Sequence, residues 1–156
     1  MVKKGIIAKV ENTGCAILPH RDPFLFLDRI VTHDDKSSIG VVTFGADRDF
    51  FRGHFPEYPV VPGVILLEAM CQSAAAGVLV GQWKGQYAET TDVLLFAGAD
   101  KVRFRRPVRP NETLETHASV LRLGHGLGRF HVEGFVAGEL AAEADVFCVA
   151  RKGNAI

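Results

Sequence analysis

From Val64 to Val80 the mixture of polar and apolar positions that marks a surface helix is missing. The residues are Val, Ile, Leu, Ala, Met, Cys and Gly, interrupted only by Glu68, Gln72 and Ser73. An element apolar all round is a buried helix. At about 1.5 Å per residue the run makes a rod of roughly 25 Å, enough to cross a small domain but short of a bilayer, and Glu68 breaks it. Pro62 and Gly63 set its start, because proline fits the first turn and tolerates no helix before it. Glu68 and Gln72, four apart, share one face and form a short polar stripe.

Elsewhere the period is two. Phe26 to Thr32 and Ser38 to Phe44 are apolar, β-branched runs separated by His33-Asp34-Asp35-Lys36, which predicts two strands joined by a polar turn. A rigid connection with two prolines, Leu18-Pro19-His20-Arg21-Asp22-Pro23, feeds the first. After the helix, Leu94 to Val108, Thr113 to Leu123, Leu127 to Val136 and Leu140 to Ala150 read as strands. Turns are signalled by Arg109-Pro110-Asn111, Gly124-His125-Gly126 and Ala137-Gly138. In the last strand Leu140, Ala142, Ala144, Val146 and Cys148 fall on one face and Glu139, Glu143 and Asp145 on the other, the pattern of a half-buried antiparallel strand. Long hairpins after one all-apolar helix are best satisfied by a sheet curled around that helix, an α+β architecture. The polar connection from Gly81 to Asp92, with Trp83 and Tyr87, is either a mobile flap beside a long substrate or an ordinary loop anchored by Trp83.

Composition narrows the class. At 156 residues with 47% apolar content, residues 1–156 are expected to form one domain with a proper core, and no repeat or linker divides them. Lysine plus arginine equals aspartate plus glutamate at 18 each, so no global charge draws the chain to nucleic acid or an anionic membrane. An acidic partner must be met by a local patch. Cys15, Cys71 and Cys148 are odd in number and lack CxxC spacing, which argues against a disulfide framework or zinc site and fits a reducing cytoplasm. Ile6-Ile7-Ala8 between Lys4 and Lys9 is too short for a secretory signal, and no stretch is expected to span a bilayer, so a soluble protein is expected.

Candidate chemistry gathers at the start of the rod. A carboxylate among Leu66, Leu67, Ala69 and Met70 loses hydration, which predicts a raised pKa and a protonated or strongly hydrogen-bonded Glu68. His54 lies just upstream, in Gly53-His54-Phe55-Pro56, between a residue that permits close backbone approach and rigid neighbours that hold the ring. The bland alternatives are a Glu68 paired with Arg52 or Arg103 and a solvated or structural histidine. Convergence of a base and a buried acid on one helix N-terminus favours function. His20 and His33 read as a loop contact and a solvated turn residue, without chemistry. Gly124 to Arg129 lacks the third glycine of a dinucleotide fingerprint, and no HExxH, Walker loop or nucleophile-elbow serine is present. Lys101, Arg103 and Arg105 are expected to alternate onto one strand face, with Arg106 and Arg109 beyond. Read from the residues alone, that face is a solvated strand face.

The segments Leu18-Pro-His-Arg-Asp-Pro-Phe24, Phe50-Phe-Arg-Gly-His-Phe-Pro56, Pro59-Val-Val-Pro-Gly-Val64, Glu68-Ala-Met-Cys-Gln72, and Leu95 to Lys101 through Phe104-Arg-Arg-Pro107 together resemble the (3R)-hydroxyacyl-acyl-carrier-protein dehydratases of the FabZ type. The resemblance runs in order over most of the chain. Val61 departs from it where methionine is more usual, and Asp22 where an aromatic is common. It implies a hotdog fold, a curved antiparallel sheet wrapped around one long helix, in homodimers that build two sites across their interface and group into hexamers. It also implies that His54 and Glu68 of one site come from different protomers, and that Lys101, Arg103, Arg105 and Arg106 dock the acidic acyl carrier protein and its phosphopantetheine phosphate.

Dehydration of a 3-hydroxyacyl thioester needs three groups. His54 takes the C2 proton, Glu68 protonates the departing C3 hydroxyl with Gln72 orienting it, and the amides of Gly63 and Val64 bear the charge on the thioester oxygen. Elimination changes no net oxidation state, so no metal or redox cofactor is expected. A hotdog thioesterase, a dehydratase/isomerase, whose branch carries aspartate where this chain has Glu68, and a non-catalytic carrier-binding module are the competing classes.

Overall fold

The apolar run folds as one helix of 18 residues, α2, Gly63–Val80, in a computed structural model whose described residues are 8–81, 92–124 and 126–152. Pro62 precedes it with φ −54° and ψ 136°, so the fixed proline φ ends any helix before it. Buried side chains, among them Leu66, Ala69, Met70, Ala74, Ala76 and Val78, run the length of α2. With a mean hydropathy of 1.8 over 18 residues, α2 reaches the length and composition of a membrane span, which the sequence reading had set beyond it. Burial identifies it instead as a core helix, because 67% of it is covered within the chain.

Among the described residues the sheet has seven strands: β1 Ala8–Thr13, β2 Arg29–His33, β3 Ser37–Thr43, β4 Asp92–Phe104, β5 Thr113–Gly124, β6 Leu127–Val136 and β7 Glu139–Lys152. A short helical turn, α1 Gly14–Ile17, follows β1, and a 3₁₀ turn, Asp49–Arg52, precedes α2. All pairings are antiparallel, in the order β1-β2-β3-β5-β6-β7-β4. Strands β2 to β7 all pack on α2, so the sheet closes around the helix as expected of a hotdog fold. Two glycines let the layers touch. A Cβ on Gly77 of α2 would stand 2.2 Å from Ser38 Oγ of β3, and one on Gly40 would stand 2.4 Å from Ser73 Oγ of α2.

Several elements differ from the sequence reading. Strand β1 was not anticipated, although Ala8-Lys9-Val10-Glu11 alternates. Strand β2 starts at Arg29 because Phe26 bonds a helix side chain and not a strand partner. Strand β4 stops at Phe104. Its alternation breaks at Lys101, which has φ 53° inside a register shift, so Lys101, Arg103 and Arg105 do not form one regular face. Asp145, expected on the solvent face of β7, is buried at 3% exposure among cationic and imidazole partners. The turn between β6 and β7 is as expected, with Ala137 at φ 50° and Gly138 at φ 80°. Trp83 and Tyr87 lie outside the described residues.

Candidate active site

The 3₁₀ turn delivers His54. Phe50, packed edge-on against Phe26 and Phe44 at 6.5 and 6.3 Å, anchors the turn, and its carbonyl accepts the amides of Gly53 and His54. His54 is then tied twice to Val60: its carbonyl accepts the Val60 amide at 3.2 Å, and Nδ1 lies 3.1 Å from the Val60 carbonyl. A carbonyl only accepts, so Nδ1 carries the hydrogen and the neutral ring keeps its lone pair on Nε2. Phe55 stacks on the imidazole at 4.2 Å. The histidine lines a groove of about 350 Å³ with Val61, Gly63, Leu66, Phe104 and Val108.

The same groove reaches the start of α2. The amides of Ile65 and Leu66 bond the Pro62 carbonyl at 2.9 and 3.1 Å. Among the described residues no acceptor takes the amides of Gly63 and Val64, the ordinary condition of a helix N-terminus. The Phe104 ring packs so closely that a Cβ on Gly63 would lie 2.9 Å from it. An added Cβ there would have to push the half-exposed Phe104 ring aside.

Glu68 sits in a second cluster. Gln72, only 2% exposed, donates to Glu68 Oε1 at 2.9 Å and to the Phe24 carbonyl at 3.1 Å, while its amide oxygen accepts the Phe26 N–H at 2.8 Å. Every polar atom of the side chain is used. The polar stripe read from the sequence is therefore a clamp that fixes both Glu68 and the loop beyond it. Glu68 itself is half-buried, with 18% of its side chain exposed, and is not fully enclosed within one chain.

His20, assigned no chemistry from the sequence, lies with Nε2 at 3.7 Å from Glu68 Oε1. Burial holds its pKa below the usual histidine value against the opposing pull of the Glu68 charge. Its Nδ1 is buried with no partner among the described residues. Nothing in local spacing signals this contact, since 48 positions separate the two residues in the chain. Neither arginine weighed as a partner for Glu68 takes that role: Arg52 pairs with Asp49 at 3.0 Å, and Arg103 bonds the Val102 carbonyl at 2.8 Å. Among the described residues no hydrogen bond or ion pair joins His54 to Glu68, and Glu68 is not part of the His54 groove.

Three of the four cations read as a docking patch already hold carboxylates. Lys101 pairs with Asp145 at 3.2 Å, Arg105 with Glu143, and Arg106 with Glu112 at 2.9 Å. Arg103 is exposed and makes no ion pair among the described residues. Among the described residues one trio of possible metal donors, His131, Glu133 and Glu143, comes within 4.8 Å, but Arg105 occupies Glu143 and Asp145 holds His131 Nδ1 at 2.9 Å.

The family described as FabA-like domain matches residues 18–145. The 3-hydroxyacyl-(acyl-carrier-protein) dehydratase FabZ of Desulforamulus reducens is 44% identical over 138 residues, covering 87% of this chain and 94% of the relative. The enzyme of the same name from a Janthinobacterium species is 38% identical, covering 88% and 87%. Among solved structures, the dehydratase heterocomplex ApeI:P of Xenorhabdus doucetiae superposes with a TM-score of 0.76 at 17% identity, covering 93% of this chain and 95% of that one, a likeness of fold.

Proposed function

This chain belongs to the FabZ-type branch of the FabA-like family, and from that membership we propose that it dehydrates (3R)-3-hydroxyacyl thioesters of acyl carrier protein to trans-2-enoyl thioesters in type II fatty-acid biosynthesis. The observation that carries the reading is the bond from His54 Nδ1 to the Val60 carbonyl. It commits the basic nitrogen, Nε2, on a residue that lines an apolar groove beside unused helix amides.

The steps follow from those positions. His54 Nε2 removes the C2 proton, and the charge that builds on the thioester oxygen is met by the Gly63 and Val64 amides at the positive end of α2. In its protonated form Glu68 gives its proton to the C3 hydroxyl, which leaves as water, while the Gln72 amide holds the carboxyl in place. Proton transfer and oriented dipoles suffice, so the proposed reaction uses no cofactor of the protein's own.

Two copies of the chain, grouped further into a hexamer, supply each site with His54 from one protomer and Glu68 from the other. That no hydrogen bond, ion pair or shared groove joins His54 to Glu68 among the described residues supports this, as do Leu95 and Phe96, 43% and 41% exposed on the terminal strand β4, and Val64, 71% exposed at the head of α2. Acyl carrier protein docks through Arg103, with Lys101, Arg105 and Arg106 beside it. Residues 1–156 act as a single cytoplasmic domain.

Incubation with 3-hydroxyacyl carrier protein, following the conjugated enoyl chromophore and free thiol together, tests the proposal. Enoyl product without thiol is expected, and His54→Ala and Glu68→Gln should each lower turnover by about 10²–10⁴-fold with the fold retained. Thiol release without enoyl product would mark a thioesterase instead.

A further inference from the structure

The sulfurs of Cys71 and Cys148 meet in the core, Sγ to Sγ at 3.4 Å, with the residues 5% and 1% exposed. Cys71 is carried by α2 and Cys148 by β7, 77 positions apart, so the contact joins the central helix to the sheet and owes nothing to local sequence. Cys15 is exposed and pairs with Thr13 Oγ1. From this geometry we propose that Cys71 and Cys148 are a dithiol site that a small hydroperoxide converts to a disulfide, and that the bond lowers the enzyme's turnover reversibly.

The electrons and atoms balance with peroxide as the oxidant. Cys71, the more exposed of the two, attacks the peroxide: the O–O bond breaks, one oxygen stays on sulfur as a sulfenic acid, and the other leaves as water or alcohol. The Cys148 sulfur then displaces that oxygen, which departs as water, forming the S–S bond. Two thiols lose two electrons and two protons, and the peroxide takes up both. The reaction is slow in the resting protein. Its partner thiol, burial and the nearby Glu68 charge all push the Cys71 pKa up, and the thiolate is the nucleophile.

The effect on activity follows from position. A disulfide needs its sulfurs at about 2.05 Å, so they must approach by about 1.4 Å, through side-chain rotation together with local adjustment of α2 against β7. Cys71 sits next to Gln72 and one turn after Glu68, the two residues joined at 2.9 Å. A displacement near 1 Å of a catalytic group costs about 10²-fold in rate. This second half of the proposal rests on the assignment of Glu68 to the reaction, whereas the linkage does not.

Full-length protein carrying Cys15→Ser, treated with hydrogen peroxide, alkylated under denaturing conditions and digested, is expected to yield one peptide pair joined through Cys71 and Cys148, released by dithiothreitol. Recovery of both cysteines as alkylated thiols, or with added oxygen and no cross-link, overturns the site. Turnover should fall about 10- to 100-fold in step with the linked fraction and return on reduction, while Cys148→Ala in the same background keeps its turnover through the treatment. Full linkage with unchanged turnover overturns the coupling to the helix, and untreated protein without dehydratase turnover overturns the functional assignment while the cross-link stands.

Discussion

Gln72 illustrates how much one side chain can fix. Its amide spans the Phe24 carbonyl, the Phe26 amide and Glu68, tying the loop before β2 to the helix. Gln72→Leu keeps the volume and removes all three bonds, leaving the buried Phe26 N–H unsatisfied at about 1–3 kcal/mol and the part-buried Phe24 carbonyl at the lower end of that range. The expected loss is about 2–4 kcal/mol in urea unfolding, with a fall in kcat. A loss below about 1 kcal/mol would mean that the loop finds other partners. Asp145 is a second such residue. His131 first, then Lys101 and Arg129, hold its carboxyl down from 3.8 to about 2 against the upward push of burial. A depressed folded-state pKa stabilises above the unfolded value and loses that contribution as pH falls through the folded one. The bonds to Asp145 should thus contribute on the order of 1–2 kcal/mol above about pH 4, after allowing for screening of exposed Lys101 and Arg129, and lose it between about pH 4 and 2. Acid unfolding of Asp145→Asn, followed by circular dichroism, should show lower stability at neutral pH and a shallower decline over that window. Equal slopes for the two proteins would remove Asp145 from the account.

At the scale of elements, the fold depends on how closely α2 approaches the sheet, and glycine sets that distance. Gly77→Ala brings a methyl group to 2.7 Å from the Ser38 Cβ, so helix and β3 must separate. Overpacking of this kind typically costs about 1–3 kcal/mol, and a shift in the urea midpoint without a change in slope is the expected signature. A wild-type midpoint would show that Ser38 can turn aside. Element identity was largely legible in the sequence because period and composition are local: α2 announced itself by having no polar face, and β5, β6 and β7 by alternation between turn residues. What was not legible depended on distant partners. Phe26 looked like strand until Gln72 took its amide, and Asp145 looked solvent-facing until Arg129, His131 and Lys101 covered it. The motif residues behaved likewise. His54, Gly63 and Glu68 could be picked out by type and spacing, but the contact between His20 and Glu68 joins two parts of the chain with no shared pattern.

For the whole molecule the decisive question is how many chains make one site. His54 is bound to Val60 and Glu68 to Gln72 with no hydrogen bond between the two sets among the described residues, and Leu95, Phe96 and Phe104 on the edge strand β4 and Val64 at the head of α2 are among the exposed apolar residues. A two-fold assembly with His54 from one protomer and Glu68 from the other makes a quantitative prediction. On this arrangement His54→Ala and Glu68→Gln homodimers should each show only the turnover reduced by about 10²–10⁴-fold. In a mixed dimer one site receives both altered residues and the other receives His54 from the Glu68→Gln chain and Glu68 from the His54→Ala chain. Co-expressed in equal amounts and pairing at random, half the dimers are mixed and each carries one intact site. Enoyl formation should therefore recover to about a quarter of the wild-type rate per chain. Sites contained within single chains would recover nothing, because no chain in the mixture holds both groups. The two arrangements thus differ by an activity readily measured against a near-zero background, with pairing of the variants checked independently by native mass spectrometry.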